Sequence, residues 1–379
     1  MQVAATAAVL DWNDDYSLLL NTANELLARR SDFAAVRRTL LLPSGFDPAL
    51  HRELCELGWL GLCIPSEHGG AGMPLSALPC VFEPMGKYLL AGPYLASTLA
   101  SQLILQAASP DQQRAWLPNL ASGTELATVG LYEPDGSYLL EETEVEARPH
   151  AQGFELRGVK TSVLDAENAQ HVFVLAKLRG EPAWFRVTTD QLHRRIQREL
   201  LIDETRRSAR IDCSGLTLPA DSLLAGDARR GLSHVQRVAW LLTAAEMAGG
   251  SEGVLQLTLE YLRTRTQFGK TIGSYQALKH PTAEIMCGLE EGRSLVYRAA
   301  AALAHDDADA EISLRMAKAQ LGDGYAHASD RSIQFHGAIG FTYECHGQLF
   351  FRRAQWLAHA FGDAQHHRQR LAQLLWPNR

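Results

Sequence analysis

A chain of 379 residues is longer than one ordinary hydrophobic core supports, so two or three domains are expected. Hydrophobic residues make up 46% and charged residues 21%, with a formal charge of -7; this lacks the basic excess that nucleic-acid binding favours, but leaves room for an anionic ligand held by local arginines and helix N-termini. The N-terminus shows no basic stretch followed by an apolar core, no apolar run approaches the roughly 18 to 20 residues that span a bilayer, and Cys55, Cys63, Cys80, Cys213, Cys287 and Cys345 show no Cys-x-x-Cys spacing. The expectation is a cytoplasmic protein with reduced thiols, no membrane or nucleic-acid partner and no metal site.

Residues 1–120 read as a helical domain. Leu18, Leu19, Ala23, Leu26 and Leu27 recur near helical spacing, and Pro43-Ser44-Gly45 interrupts the run. Asp47-Pro48 and Ser109-Pro110 each set a capping oxygen ahead of a proline suited to the first helical position. Between them lies a glycine-rich loop, Ile64-Pro65-Ser66-Glu67-His68-Gly69-Gly70-Ala71-Gly72. It makes a poor phosphate cradle, since it neither follows a strand nor matches G-x-G-x-x-G. Residues 121–228 change character: Glu142 to Ala147, Phe154 to Val163, Val172 to Ala176 and Trp184 to Thr188 are short, partly alternating and β-favouring, which predicts a small β domain. Residues 229–379 return to helices, over Leu232 to Arg265, Gln276 to Ala304, Glu311 to Gly337 and Gln348 to Leu375, with an acidic loop from Ala304 to Asp309.

Two segments in the last third stand out. Arg265-Thr266-Gln267-Phe268-Gly269-Lys270-Thr271-Ile272-Gly273 couples charge, an aromatic ring and glycines at the end of a long apolar helix. Some seventy residues on, Gln334-Phe335-His336-Gly337-Ala338-Ile339-Gly340-Phe341-Thr342-Tyr343-Glu344 contains two glycines that let a backbone approach a ligand or a second subunit. Together they resemble the two C-terminal signatures of the acyl-CoA dehydrogenase flavoprotein family, and the Ile64–Gly72 loop resembles its N-terminal-domain signature. Leu131-Tyr132-Glu133-Pro134-Asp135-Gly136-Ser137 resembles the family's Thr-Glu-Pro-x-x-Gly-Ser segment, one residue short and with Tyr132 where threonine is usual. Gly158-Val159-Lys160-Thr161-Ser162-Val163 resembles Gly-x-Lys-x-Trp-Ile, with Ser162 where a tryptophan often covers the flavin ring and Leu164 where a threonine often bonds it.

The resemblance covers essentially the whole chain. It implies a mainly α fold with a central β domain: an N-terminal helical domain, a middle β-barrel-like domain and a C-terminal four-helix bundle. It also implies flavin adenine dinucleotide (FAD) between β domain and bundle, with subunits sharing cofactor contacts. By the same resemblance, Arg265, Gln267 and Phe268 meet the adenosine diphosphate part of a flavin held mainly by a neighbouring subunit. Gln334 and Gly337 complete that pocket, and Ser137 and Ser162 are candidate contacts to the ring. Arginine's planar fork suits a pyrophosphate.

Dehydrogenation between adjacent carbons of a thioester requires a base for the α-proton and an acceptor for the β-hydride. A flavin accepts hydride and side chains do not. Most of the family carries the base as a glutamate before a glycine near the C-terminus, where an ungapped count from Gly337 places Phe361; a minority carries it on the long helix before Arg265, where the count places Ala239. Two nearby carboxylates are candidates. Glu246 lies two helical turns beyond Ala239 on the same face, with bonding to a neighbouring helix as its structural alternative. Asp363 adjoins the usual glutamate position, with an N-cap as its alternative. His366-His367 and Glu344-Cys345-His346 lack metal-site spacing and read as solvated surface.

The expected activity is FAD-dependent α,β-dehydrogenation of an acyl-CoA substrate, with electrons passed to an electron-transfer flavoprotein, by a homodimer or homotetramer. One alternative is a noncatalytic, base-lacking subunit of a heteromeric acyl-CoA dehydrogenase, paired with a paralogous subunit. A second is a flavoprotein of the same fold acting on a carrier-bound acid or as an oxygenase.

Overall fold

The computed structural model describes residues 12–376. Six helices come first: α1 (Asp14–Arg30), α2 (Phe33–Leu40), α3 (Pro48–Glu56), α4 (Pro79–Lys87), α5 (Tyr94–Ala107) and α6 (Pro110–Ala121). Nine strands follow: β1 (Ala127–Gly130), β2 (Glu146–His150), β3 (Gly153–Arg157), β4 (Val159–Leu164), β5 (His171–Leu178), β6 (Glu181–Thr188), β7 (Ile196–Glu199), β8 (Ser208–Asp212) and β9 (Leu216–Pro219). Then come α7 (Ala228–Thr264), the small hairpin β10 (Thr266–Gln267) and β11 (Lys270–Thr271), α8 (Gln276–Ala304), α9 (Ala310–His336), α10 (Gly347–His359) and α11 (Ala364–Leu375). Among the described residues no helix is long and apolar enough to cross a membrane.

Local chemistry explains the boundaries. The Asp47 carboxylate accepts from the amides of Ala49 and Leu50, and Ser109 with Gln112 closes a reciprocal capping box, each cap contributing about 1 kcal/mol to its helix. The stretch expected as one strand over Phe154 to Val163 is two, because Gly158 turns the chain at φ +124 and a Cβ there would lie 2.9 Å from the Val145 side chain. Likewise the helix expected over Gln348 to Leu375 is broken after His359, where Phe361 and Gly362 take φ +58 and +105, left-handed values that no α-helix accommodates. Strands β1, β7, β8 and β9, at most five residues each, are too short to show a period in the sequence.

Residue contacts gather into two units. One comprises Thr39–Met73 and Ala91–Ala239. Its larger sheet runs β1-β5-β2-β3-β9 with β6 paired to the other edge of β5, and its smaller sheet is β4-β8-β7. Val145, Leu156, Val163, Val172, Val174, Phe185, Val187, Ile211 and Leu218 form its β core. The glycine-rich loop closes on itself here: Ala71, Gly72 and Met73 donate their amides to the carbonyls of Gly61, Ile64 and Leu62. A Cβ on Gly70 would fall 2.0 Å from Ile64 O, so that glycine serves close backbone packing.

The other unit comprises the described parts of Met1–Arg38, Pro74–Leu90 and Trp240–Arg379. Here α9 packs against α8, α10 and α11, and α1 packs on α4. Helix α4 meets α7 through glycines, since a Cβ on Gly86 would lie 1.9 Å from Glu246 O and one on Gly249 1.7 Å from Glu83 O. A partly buried polar network joins α4, α7 and α8: Arg293 donates to Glu83 and Glu252 at 2.6 Å, Tyr297 donates to Glu83, and Lys87 pairs with Glu252 at 2.7 Å.

Candidate functional site

The two C-terminal signatures end neighbouring helices of the same unit. Tyr261, one turn before Arg265, stacks on His336 at 4.3 Å between ring centroids and donates its hydroxyl to His336 O at 3.4 Å. This brings the end of α7, which leads into Arg265, to the end of α9, which carries Gln334 and leads into Gly337. Beyond the stem, the hairpin is fastened by Tyr275, which donates to Gln267 O at 3.5 Å and lies under the Lys270 ammonium at 4.2 Å. Arg265, Gln267, Gln334 and Gly337 are exposed, and Phe268 is 90% exposed at φ +53. An exposed phenylalanine held in a left-handed turn costs hydration and about 1–2 kcal/mol of backbone strain, the mark of a residue placed for a contact outside its own fold. Gly337, at φ +64 with nothing within 4 Å of a Cβ, leaves open backbone at the same end. Beyond it, Arg37 of α2 braces the following loop, donating to Tyr343 O at 2.6 Å and sitting over the Tyr343 ring at 5.1 Å. These residues fit the nucleotide end of the flavin that the resemblance implies: an exposed guanidinium, an exposed ring and an uncrowded glycine.

The candidate ring contacts lie in the other unit, around a buried ion pair. Lys160, fully buried, donates to Glu133 at 2.6 Å, to Thr143 at 2.9 Å and to Leu131 O at 3.1 Å; Glu133 also accepts from the amides of Glu144 and Val145 and from the Thr143 hydroxyl. Burial raises the Glu133 carboxyl, but Lys160 and these donors outweigh it and hold it below the usual carboxylate range. The pair fixes the loop that bears Ser137, whose hydroxyl oxygen accepts from Leu139 N at 3.1 Å. Thr161 N donates to Tyr132 O at 2.9 Å. Ser162 occupies an irregularity between Lys160 and Val163 at φ +52, and its amide donates to Glu199 at 2.9 Å. The amides of Thr161 and Ser162 are thus satisfied within the unit.

Neither ungapped base position holds a proton acceptor: Ala239 is a methyl and Phe361 a buried ring. Glu246 is 2% exposed and accepts from Arg353 Nη1 at 3.0 Å, while the Arg353 guanidinium also donates to the carbonyls of Leu90 and Leu89. Asp363 caps α11, its carboxylate accepting from His366 N at 2.7 Å. Both carboxylates thus occupy the structural arrangements weighed against their catalytic roles.

The turn around Phe361 has its own supports, which the sequence did not reveal. Trp240 donates to Phe361 O at 2.9 Å, and the fully buried Lys318 donates to Leu357 O at 2.8 Å and Gly362 O at 3.1 Å. Burial lowers Lys318 to about 7, with Asp363 pulling the other way. His367 is buried rather than on a solvated face: it takes a bond from Arg315 at 3.3 Å through Nδ1, and burial with neighbouring cations lowers it to about 2, so it stays neutral. Cys345 is buried too, and His346 is half-buried, stacked on Phe33 at 4.1 Å. Among the described residues no group of three or more His, Cys, Asp and Glu is placed to hold a metal ion.

Helices, then sheets, then helices is the element order that the resemblance to flavin-linked dehydrogenases implies. Residues 13–124 match the model of the acyl-CoA dehydrogenase N-terminal domain and residues 235–375 that of the C-terminal domain. The chain is 31% identical over 364 residues to acyl-CoA dehydrogenase IpdE2 of Mycobacterium tuberculosis, covering 96% of this chain and 98% of that protein. It therefore belongs to the acyl-CoA dehydrogenase family, a family of oxidoreductases. Among solved structures it is similar to the Tcur3481-Tcur3483 steroid ACAD, in a variant form, at 25% identity with a TM-score of 0.86, over 96% of this chain and 98% of that one. It shares its fold with the ChsE4-ChsE5 complex of Mycobacterium tuberculosis, with a TM-score of 0.88 at 24% identity over 97% and 99% of the two chains.

Proposed function

We propose that this chain works in FAD-dependent α,β-dehydrogenation of an acyl-CoA thioester as the base-lacking subunit of a heteromeric assembly with a paralogous chain. In this reading Arg265, Gln267, Phe268, Gln334 and Gly337 grip the nucleotide end of a flavin whose ring and catalytic base belong to the partner, and electrons leave to an electron-transfer flavoprotein. The observation that carries it is the fate of the carboxylates: both base positions hold apolar side chains, Glu246 is bound to Arg353, and Asp363 caps α11. The solved relative at 25% identity, named as a pair of chains, supports a two-chain assembly. Flavin, when bound, supplies the hydride acceptor; this chain's residues bind and orient its phosphates.

The test compares the purified chain alone with the chain co-expressed with a paralogue. Alone it is colourless and inert toward acyl-CoA; together the pair is yellow and bleaches anaerobically on adding acyl-CoA. Arg265→Ala in the pair removes a charge-assisted bond of about 1.5–3 kcal/mol and weakens flavin retention by roughly ten- to a hundredfold. A lone chain that is yellow and bleaches with acyl-CoA overturns the reading.

A further inference from the structure

Helix α11 is fastened to its unit by polar groups more than by apolar ones. It packs along α9, yet its buried side chain is His367, while Leu374, Leu375 and Trp376 at its end are 44%, 45% and 51% exposed. The pair Arg368–Asp323 joins the same two helices, but both side chains are more than half exposed and hold little by themselves. Ahead of α11 the chain bends at Phe361 and Gly362, with φ +58 and +105. A left-handed phenylalanine is strained, and it persists only while its surroundings impose it.

A buried cluster beneath the bend does so. Lys318 of α9 donates to the carbonyls of Leu357 and Gly362, one on each side of the bend. Arg315, one turn earlier on α9, pairs with Glu311, lies over the Trp240 ring at 4.1 Å and donates to His367 Nδ1. A guanidinium only donates, so the ring proton of His367 sits on Nε2, which is buried without a hydrogen bond of good geometry although the Phe361 carbonyl is close. The groups facing Lys318 and His367 are thus Arg315 and Glu311 from α9, Asp363 and His366 from the α11 side, and carbonyls from α10 and the bend. An uncharged amine and an uncharged ring suit this setting. A proton on either adds positive charge beside Arg315 in the interior.

We infer that α11 is a strap released by protons: uncharged Lys318 and His367 hold it on α9, and protonation lets it swing out about the Phe361–Gly362 bend and bare Trp240. Strapped, burial lowers Lys318 to about 7 and His367 to about 2; released, they return to their ordinary 10.5 and 6.5. The released form therefore holds the extra proton between about 7 and 10.5, and again between about 2 and 6.5, so acid favours release in both windows. The strap belongs to this chain whichever way a flavin is held.

Hydrogen exchange of the full chain, read by mass spectrometry at pH 7, 8 and 9 and corrected for intrinsic exchange rates, is the test. Amides within α11 are expected to exchange faster than those of α9, through an opening whose equilibrium constant grows by up to about tenfold for each pH unit of acidification. Lys318→Met abolishes that dependence; if this variant does not fold, Lys318→Gln, which keeps an uncharged donor, takes its place. Exchange of α11 and α9 at one common rate overturns the inference, as does an α11 rate that is independent of pH after correction. A pH dependence that survives in the Lys318 variant overturns it too.

Discussion

Replacing Glu246 by glutamine distinguishes a structural carboxylate from a catalytic one. The Arg353 side chain is 0% exposed and that of Glu246 3%, and they are joined by a charge-assisted bond of 3.0 Å. Removing one member of such a pair leaves the other charge in the interior without a counter-ion, at a cost of about 3–5 kcal/mol. Glutamine keeps the shape and one carbonyl acceptor, and Arg353 keeps its bonds to Leu89 O and Leu90 O, which places Glu246→Gln near the lower figure. Glu246→Gln/Arg353→Met, which removes both charges, recovers much of the loss, since replacing a buried pair by apolar groups is often neutral. Urea unfolding followed by far-UV circular dichroism measures the three proteins, and acyl-CoA bleaching of the flavin-loaded assembly is read beside it. If Glu246→Gln is as stable as the parent protein, the pairing argument is wrong; if it is stable, retains flavin and no longer bleaches, Glu246 is the base after all.

Lys318→Met tests the buried amine. With Lys318 near 7 in the folded chain and at its ordinary 10.5 when unfolded, the unfolded chain holds the extra proton between those values, so stability rises with pH across that window. The slope from this group is at most about 1.4 kcal/mol per pH unit, and Lys318→Met should flatten it; identical slopes in urea titrations at pH 7, 8 and 9 would refute the assignment. Asp363→Ala removes the α11 cap, costing about 1 kcal/mol and speeding hydrogen exchange at His366 and His367; unchanged protection there counts against the cap. Gly249→Ala forces a methyl to within 1.7 Å of Glu83 O, so α4 and α7 must separate. A loss of about 3 kcal/mol or more in urea unfolding is expected, and a neutral result would mean the crossing is looser than described.

Legibility in the sequence followed the range of the interaction. The caps at Asp47, Ser109 and Asp363 are written in a few adjacent residues and could be read directly. Periodicity permits the order of helical, β and helical stretches, and the family resemblance supplies that architecture and the two C-terminal signatures. What stayed hidden depends on partners distant in the chain. Glu246 looked isolated in an apolar run because Arg353 lies on another helix, and Ser162 looked like a simple loss of an aromatic because Glu199 comes from a different strand. Lys318 carries no local signal, since its acceptors are carbonyls of a turn some forty residues away. The break at Phe361 was invisible for a related reason: a phenylalanine does not advertise a left-handed backbone, and only the neighbouring Gly362 hints at one.

That turn has a further implication. Lys318 and Trp240 grasp its carbonyl oxygens at Leu357, Phe361 and Gly362, so the path of the chain is set by backbone acceptors that every amino acid possesses. The side chain at position 361 is thus mounted on a frame that does not depend on its chemistry. A substitution at position 361 leaves those carbonyl acceptors in place, so its consequence falls on the surroundings of the side chain and not on the anchoring of the bend.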